Sequence, residues 1–447
     1  MTKSLIPSKR FNLATLACAA LLSLASGARA EGFIVGVGTH LLNAPGDVTP
    51  AMDWAKNAGI SSLRDDAWWA HVEMQPGVLQ APAEWGKYFA GQQTLGLDGV
   101  LILGYGNQFY NRDAKPVAQT VRNGFARYVD WVTQRLKGQA AFWEIYNEWD
   151  IAKPRMGVEA DSKAYLKLVR DTAPQVRQND PQARLLAGAI TSEGIKKGFA
   201  DRLVQGGVMQ QVDGLSLHPY VHCEKRNDGY TPEHWIGWMR EVSRHLDELN
   251  GGQPVPLYLT EMGWHSTADR HPCGVGADTQ AAFLARSFLL ARTLPAIKGM
   301  WWYDLVNDGT DPADQEHNFG LLNADLTPKP AYRVLKAISR LLREGELLQQ
   351  QAGADGVQLL LFRLGNDHLL AAWKPGRSTE VQLNTDGPVA GPVRVLDTRQ
   401  ADAGVVSAPA QWQCQPQGCS VTLPLGEFPL LISLGQARLA APTLSQD

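Results

Sequence analysis

Two acidic residues stand at the ends of apolar runs, where a carboxylate is costly unless it is paired or used. Residues 140–146 are apolar except for Glu144, and they lead directly into Asn147 and Glu148. A second run, "PLYLTEM", delivers Glu261. Acids are seldom buried without a partner, because removing their charge from water is expensive. Paired carboxylic acids fit glycoside hydrolysis, in which one protonates the leaving oxygen while the other attacks the anomeric carbon or activates a water.

Further side chains that could assist this chemistry follow other apolar runs. They are His40, Arg64 with Asp65 and Asp66, His218 and Tyr220 in "HPY", and Trp301 and Trp302 in "MWWYD". An arginine could keep a nucleophilic carboxylate ionised, a tyrosine could donate to it, and a tryptophan could form an apolar floor under a sugar ring. Each also has a structural explanation: an ion-pair partner, a turn, or core packing. Their recurrence at the ends of six runs favours one common site.

Strand alternation refines two of these assignments. Because successive side chains point to opposite faces, only one of Trp301 and Trp302 can face the site. Glu144 has the parity of Glu148 but would lie deeper, so we interpret it as a structural acid paired inside the fold.

These residues need a scaffold that gathers the ends of many strands. Between residues 31 and 344, predicted strands cover 33–38, 61–64, 99–106, 141–146, 184–190, 212–218, 256–262 and 299–304. Amphipathic helical patterns between and after them cover 117–136, 164–178, 235–249, 279–293 and 331–342. This alternation predicts a (β/α)8 barrel of the α/β class, which places catalysis at the C-terminal ends of its strands. A doubly wound dinucleotide fold is disfavoured, since no G-x-G-x-x-G follows the first strand.

The texture of the sequence changes after residue 344. Residues 345–437 read as short strands separated by turns, with a hairpin predicted at Gly365–Asn366. We predict a small all-β sandwich there, followed by a frayed tail over 438–447. Few aromatic residues lie in this domain and no stacking stripe is evident, so a structural role is favoured over a sugar-binding one.

The N-terminus has the features of an export signal. Lys3, Lys9 and Arg10 precede the apolar run "LATLACAALLSLAS", and "ARA" closes it at residue 30. A basic start, a short apolar centre and an A-x-A end predict a secretory signal over residues 1–30, with an uncleaved inner-membrane anchor as the open alternative. We therefore expect an exported protein, either periplasmic or secreted.

The cysteines agree with an oxidising compartment. Beyond the predicted signal the chain has Cys223, Cys273, Cys414 and Cys419. An even number in an exported chain indicates disulfides, with three connectivities open. The local choice pairs Cys414 with Cys419 and leaves Cys223 with Cys273. No metal-ligand spacing is present, so neither a metal nor a cofactor is expected.

Composition narrows the partners. The chain has 447 residues and a formal net charge of −3. This balance gives no electrostatic footprint for nucleic acid, so no nucleic-acid partner is expected. The 14 tryptophans agree with sugar stacking, although most are expected in the core. The oligomeric state stays open, with a monomer expected.

The motifs "WEIYNEWD" and "YLTEMGW" resemble those of the clan A retaining glycoside hydrolases. With a trailing β-sandwich, the chain looks most similar to glycoside hydrolase family 39, and its size and signal segment resemble members that act as endoglycosidases on biofilm exopolysaccharide. The resemblance implies Glu148 as the acid/base and Glu261 as the nucleophile. It also implies that Asn147 hydrogen-bonds the substrate 2-hydroxyl, and that no metal is required.

The same resemblance assigns supporting roles around the two acids. Arg64 and Tyr220 match neighbours of the nucleophile, His218 lines the cleft beside Tyr220, and His40 matches a subsite residue. A tryptophan of the eighth strand, Trp301 or Trp302, matches the platform under the sugar. Aromatic residues that could line further subsites and so favour a groove are Trp68, Trp69, Phe109, Tyr110, Trp149 and Trp264.

The leading interpretation is a retaining, endo-acting glycosidase that cleaves an extracytoplasmic polysaccharide. Two alternatives stay open. An exo-acting β-xylosidase-like enzyme would need a closed pocket, and a non-catalytic carbohydrate-binding or scaffold protein of a polysaccharide export system would release no sugar.

Overall fold

The computed structural model describes residues 32–353 and 355–440, and its N-terminal part, up to residue 344, is built on a closed barrel of eight parallel strands. The strands are β1 (Ile34–Gly38), β2 (Ser62–Trp68), β3 (Asp98–Gly104), β4 (Phe142–Ile145), β5 (Arg184–Thr191), β6 (Gly214–His218), β7 (Leu257–Met262) and β8 (Ile297–Trp302). They neighbour one another in chain order, and β8 pairs with β1 to close the barrel. The predicted (β/α)8 fold is confirmed.

Helices surround this barrel. They are α1 (Thr49–Asn57), α2 (Trp69–Val72), α3 (Glu84–Leu95), α4 (Gln108–Asn111), α5 (Gln119–Arg135), α6 (Val158–Asn179), α7 (Ser192–Lys196), α8 (Phe199–Gln205), α9 (Pro232–Leu249), α10 (Ala277–Ala291) and α11 (Pro330–Glu344). The five predicted helical segments correspond to α5, α6, α9, α10 and α11. The amphipathic pattern of α11 shows why such segments are readable, because it buries Val334, Leu335, Ile338 and Leu342 on one side.

Large side chains fill the barrel interior. The inward positions supply a compact layer of Val100, Phe142, Leu186, Tyr258 and Trp301. This packed layer is typical of eight-stranded barrels, which have a core and not a pore. Polar groups that point inward can therefore meet solvent only above this layer, at the C-terminal ends of the strands.

Several strands differ from their predicted bounds, and the differences at the ends of β2 and β4 affect the site. Strand β2 continues from the predicted end at Arg64 to Trp68, so Asp66 is an inward-facing strand residue with the parity of Arg64. Strand β4 ends at Ile145, which leaves Asn147 and Glu148 on the loop that follows. Within this loop Tyr146 and Glu148 have φ angles of 64° and 50°. Such left-handed conformations are costly for residues with a Cβ and concentrate at functional sites.

Two antiparallel sheets form the C-terminal β domain. One sheet has the order β14-β13-β17-β11-β10-β9 and the other β15-β16-β12-β18. Their strands are β9 (Glu346–Ala352), β10 (Gln358–Leu364), β11 (Asp367–Trp373), β12 (Thr379–Asp386), β13 (Arg394–Asp397), β14 (Val406–Ser407), β15 (Gln413–Gln415), β16 (Gly418–Leu425), β17 (Leu430–Ser433) and β18 (Arg438–Leu439). Apolar residues of both sheets, including Leu361, Leu370, Leu383 and Leu423, share one buried cluster. The predicted all-β sandwich is confirmed.

Local detail in this domain both agrees and disagrees with the sequence. The hairpin predicted at Gly365–Asn366 joins β10 and β11, whose Leu364 and Asp367 are partners. The tail was expected to fray from residue 438, yet β18 pairs there with β12. Leu439 is buried in the sandwich core, which explains why pairing extends this far. Residues 441–447 lie outside the described chain.

The opposite face of the larger sheet packs on the barrel. Phe362, Trp373 and Leu431 belong to the same buried cluster as the barrel helices. The Trp373 indole N–H donates to Glu233 Oε1 at 2.9 Å, and Arg286, which is 1 % exposed, pairs with both Glu233 and Glu427. The interface between the barrel and the β domain is therefore buried, with an arginine paired to two carboxylates inside it.

Both predicted disulfides are present, Cys223–Cys273 and Cys414–Cys419. Two disulfides are typical of an extracytoplasmic protein. The predicted signal, or anchor, over residues 1–30 lies outside the described residues. Among the helices that the structure does describe, none has the length and hydrophobicity to cross a bilayer.

Candidate active site

A cavity of about 350 Å³ opens at the C-terminal ends of the barrel strands. Seven residues that the sequence singled out line it: His40, Arg64, Asp66, Asn147, Glu148, Tyr220 and Glu261. His218 lies behind the wall, fully buried, and contacts Glu148. The strand-end groups thus lie together as expected, although His40 and Glu261 are more than 200 residues apart in the chain.

Glu261, from β7, is surrounded by donors. Arg64 donates to its Oε1 at 2.7 Å, the Tyr220 hydroxyl donates to Oε2 at 2.9 Å, and Nδ1 of His218 lies 3.5 Å from Oε2. Burial opposes ionisation here, yet the charge that His218 carries when protonated, the charge of Arg64 and the hydrogen bond from Tyr220 hold the pKa of Glu261 below its usual value. The carboxylate is therefore ionised near neutral pH, as a nucleophile must be.

Arg64 lies beneath the cavity and links Glu261 of β7 to the loop that carries Asn147 and Glu148. Its Nε donates to Glu144, and its two terminal nitrogens donate to Glu261 and Asn147, each at 2.7 Å. Since Asn147 uses its oxygen for this contact, its amide nitrogen is the group it can present to a ligand. Glu144 is fully buried and its second oxygen accepts from Thr260 at 2.8 Å, so it lies below the cavity as an ion-pair partner.

Glu148 stands opposite Glu261. Nδ1 of His218 lies 2.9 Å from Oε1 of Glu148. A carboxylate oxygen of Glu148, one of Glu261 and a ring nitrogen of His218 all lie within 4.8 Å of one another. A pair of oxygens this close is compatible with the ~5–5.5 Å separation between the two carboxyl groups of retaining glycosidases.

Two clusters among the described residues bring three potential metal ligands together, namely Glu148, His218 and Glu261, and His40, Asp304 and Asp308. In the second cluster Nδ1 of His40 lies 2.8 Å from Asp308. This hydrogen bond raises the pKa of His40 to about 10 against the opposing effect of burial, with the charges of Asp308 and Asp304 adding to it. His40 is thus a cation at the cavity edge. Its positive charge balances the negative charge of the neighbouring carboxylates.

The tryptophans predicted as a sugar platform do not reach the cavity, and this prediction is wrong. Trp301 faces the barrel interior, but within the packed layer below the site, where its N–H donates to Ser62 at 3.1 Å. A Cβ on Gly36 would lie 2.2 Å from its ring, which shows how tightly it is enclosed. Trp302 points outward and donates to the Phe319 carbonyl. Tyr303, the next residue with inward parity, lines the cavity instead.

Trp149 and Trp264 are also corrected, because both are fully buried. The Trp149 N–H donates to the Asp161 carbonyl at 3.0 Å, beneath the loop that carries Glu148. Trp264 stacks on Trp302 and donates to the Tyr230 carbonyl. These rings support the loops of the site from behind. Of the other predicted subsite aromatics, Trp69 is buried, whereas Trp68 and Phe109 are each 40 % exposed.

Several lining residues were missed from the sequence: Thr39, Ile102, Tyr105, His222, Tyr303, Gln315, Glu316 and Phe319. Parity could have found Tyr303, which lies two residues beyond Trp301 on the same face. Gln315 and Glu316 come from the long connection after β8, whose path no local pattern indicates. Burial raises the pKa of Asp66, and its Oδ1 has no hydrogen-bond partner among the described residues.

The disulfide Cys223–Cys273 ties the loop after β6 to the loop after β7. We expect Cys223→Ser/Cys273→Ser to lower the free energy of unfolding by about 4 kcal/mol, because the bridge closes 50 residues. Urea unfolding followed by tryptophan fluorescence measures this.

The matched control is Cys414→Ser/Cys419→Ser, which opens a bridge spanning only 5 residues and should cost about 2 kcal/mol. Equal losses from the two double variants would contradict the loop-length argument.

Comparison with known proteins agrees with this geometry. The family model described as glycosyl hydrolases family 39 matches residues 117–387, more than half of the chain. No protein in a search of curated sequences matches.

Solved structures share the fold. A family 39 glycoside hydrolase from the gut symbiont Bacteroides cellulosilyticus WH2 is 23% identical, with 90% of this chain and 81% of that chain covered and a TM-score of 0.74. A GH39 β-xylosidase from Caulobacter crescentus is 17% identical, with 91% and 97% covered and a TM-score of 0.61. A GH39 enzyme from Xanthomonas axonopodis pv. citri is 13% identical, with 91% and 94% covered and a TM-score of 0.58.

Proposed function

Because this chain belongs to glycoside hydrolase family 39 and is therefore a glycoside hydrolase, we propose that Glu148 and Glu261 cleave its carbohydrate substrate by a retaining double displacement. The observation that carries this proposal is the short spacing of the two carboxylates, with oxygens within 4.8 Å. The unequal surroundings of the two acids support the division of roles, since Arg64 and Tyr220 both donate to Glu261.

The proposed reaction has two steps. In the first, Glu261 attacks the anomeric carbon while Glu148 gives its proton to the departing glycosidic oxygen, and a glycosyl ester forms on Glu261. In the second, Glu148 takes a proton from water, whose oxygen displaces Glu261 and regenerates both carboxyl groups. Asn147 presents its amide nitrogen to the sugar, and Tyr303 supplies an aromatic face in place of the expected tryptophan.

We propose an endo-acting enzyme for an extracytoplasmic polysaccharide, with a biofilm exopolysaccharide as the substrate class and the periplasm or the exterior as its location. The exposed ring of Trp68 supports endo action, because it lies against Tyr105, which lines the cavity. Such a ring beside the cavity mouth could hold a second sugar unit. The two disulfides support the location.

An exo-acting β-xylosidase-like function is the second candidate. It is favoured by the modest volume of the cavity, about 350 Å³, which is near the small end for ligand pockets. The similar structure from Caulobacter crescentus is that of a β-xylosidase.

Products from a panel of defined oligosaccharides and exopolysaccharides separate the two. Endo action should yield a ladder of intermediate fragments early in the reaction, with rates that rise with chain length. Exo action should yield monosaccharide alone from the first time points. Binding without any release across the panel would exclude both and favour a scaffold.

Asp66 is a cavity residue suited to hold substrate hydroxyls, because it lines the cavity and a carboxylate accepts hydrogen bonds from hydroxyl groups. We expect Asp66→Ala to lower kcat/KM by roughly 10- to 100-fold, as the loss of charged hydrogen bonds costs about 1.5–3 kcal/mol. The measurement is steady-state kinetics on the preferred oligosaccharide.

Asp66→Asn is the matched control, since it keeps an acceptor oxygen at the same place. It should lose less than Asp66→Ala. If both variants keep wild-type kinetics, Asp66 does not contact the substrate.

A further inference from the structure

We propose that Thr260 is a positioning residue which, together with Glu144, fixes the proton of His218 on Nε2, so that Glu148 faces a bare Nδ1 and shares a single proton with it. This inference rests on the proposed role of Glu148 as acid/base and deepens it. Neither the family match nor the sequence assigns Thr260 any function.

The chain of contacts begins at Arg64. Its Nε donates to Oε2 of Glu144 at 2.7 Å, and the Thr260 hydroxyl lies 2.8 Å from Oε1 of the same carboxylate. Glu144 and Thr260 are fully buried, so no water replaces either partner. An ionised carboxylate can only accept, and therefore the single hydroxyl proton of Thr260 points to Glu144.

The hydrogen bond from Thr260 to Glu144 determines how Thr260 meets His218. Nε2 of His218 lies 3.2 Å from Oγ1 of Thr260. Since the hydroxyl proton is already used, Oγ1 can only accept, and Nε2 must carry the hydrogen. The neutral imidazole then has its lone pair on Nδ1, which lies 2.9 Å from Oε1 of Glu148. The other partner of the ring thus determines which nitrogen meets the acid.

One proton consequently lies between Glu148 and His218. It resides on Glu148 as the acid, with Nδ1 accepting, or on Nδ1 with Glu148 ionised. After Glu148 gives its proton to the leaving group, its carboxylate faces the lone pair of Nδ1 and gains no donor from the neutral ring. The carboxylate therefore stays basic, which suits its next task of taking a proton from water.

Other groups around His218 also affect this proton. Glu261 lies 3.5 Å from Nδ1, and the charges of Arg64 and Asp150 also act on the ring. Burial favours the neutral ring, whereas the charge of Glu261 and the hydrogen bond with Glu148 favour the cation. The second group of effects is larger, so the pKa of His218 lies above its usual value. Because threonine is uncharged, substituting Thr260 changes none of these charges. Its effect therefore reports on the tautomer of His218 alone.

Thr260→Val tests the proposal, because it keeps the shape and removes the acceptor for Nε2–H. The ring can then move its proton to Nδ1 and donate to the Glu148 carboxylate. We expect the basic limb of the kcat/KM pH profile to shift down by about one pH unit, as one charged hydrogen bond is worth about 1.5 kcal/mol. Thr260→Ser, which restores the hydroxyl, should return the limb to its wild-type position.

Glu144→Gln provides a second route to the same change. Arg64 would hold the amide oxygen and turn its NH₂ toward Thr260, whose hydroxyl would then donate to Nε2 and drive the proton to Nδ1. The same shift of the basic limb is expected with the Thr260 hydroxyl still in place. An unshifted limb in both Thr260→Val and Glu144→Gln would overturn the proposal.

Nitrogen NMR of the wild-type enzyme tests it without relying on either variant folding. With ¹⁵N-labelled histidine, and His218 assigned by its loss in His218→Asn, the ring should give the Nε2–H tautomer or the imidazolium, and a neutral Nδ1–H form would contradict the inference. Failure of the proposed function is distinguishable, since a wild-type enzyme that hydrolyses no glycoside refutes the acid/base role itself, whatever the tautomer.

Discussion

Glu261→Gln should lower kcat/KM by about 10⁴-fold or more, a loss of the size seen when a covalent nucleophile is removed. The amide cannot form the glycosyl ester, and it removes the charge that pairs with Arg64 at 2.7 Å. Fold and cavity should remain, because Gln keeps the shape of Glu and the hydrogen bond from Tyr220. Steady-state rates with an aryl glycoside, beside a thermal melt, measure the effect.

Rescue by a small anion distinguishes a lost nucleophile from a damaged site. In Glu261→Gly, azide can enter the space of the missing carboxylate and attack the anomeric carbon of an activated aryl glycoside. The expected product is a glycosyl azide whose anomeric configuration is opposite to that of the substrate. Full activity of Glu261→Gln in the absence of any added anion would contradict the assignment.

Glu148→Gln should lower kcat by about 10²- to 10⁴-fold on substrates that need protonation of the leaving group. The loss should be much smaller at the first step for a dinitrophenyl glycoside, whose leaving group departs without a proton. Glycosyl-enzyme should then accumulate, because no base activates the water. Burst kinetics on dinitrophenyl and phenyl glycosides measure both effects.

Glu316→Gln is the matched control for this variant, since Glu316 also lines the cavity but lies on the connection after β8. It should keep the wild-type ratio of rates on the two aryl glycosides. An equal loss on both glycosides in Glu148→Gln would show that Glu148 does not supply the proton.

The sequence predicted the barrel because its signals are local and repeated. Each strand is a short apolar run and each major helix has an amphipathic pattern, as in α11, so the order of elements alone indicates the closed sheet. The β-sandwich followed from turn residues such as Gly365. Boundaries were less readable, and the end of β2 mattered most, because stopping at Arg64 removed Asp66 from the inward face.

The sequence predicted the site residues that lie at strand ends. It did not predict those whose access to the cavity depends on their height within the barrel. Glu148, Glu261, Arg64 and Tyr220 meet as their positions indicate. The sequence left open which of Trp301 and Trp302 faces inward; it is Trp301, but it lies one level too deep, and Tyr303 lines the cavity instead. Parity gives the face of a residue but not its height in the barrel, which depends on strand tilt and stagger.

The central claim is double displacement by two closely spaced carboxylates, and the stereochemistry of the first product tests it most directly. Proton NMR of an aryl glycoside reaction, recorded before mutarotation, shows the anomeric proton of the released sugar. The proposal predicts that this sugar first appears with the same anomeric configuration as the substrate. First appearance of the opposite anomer would contradict it, because inversion requires a water, and not Glu261, to attack the sugar.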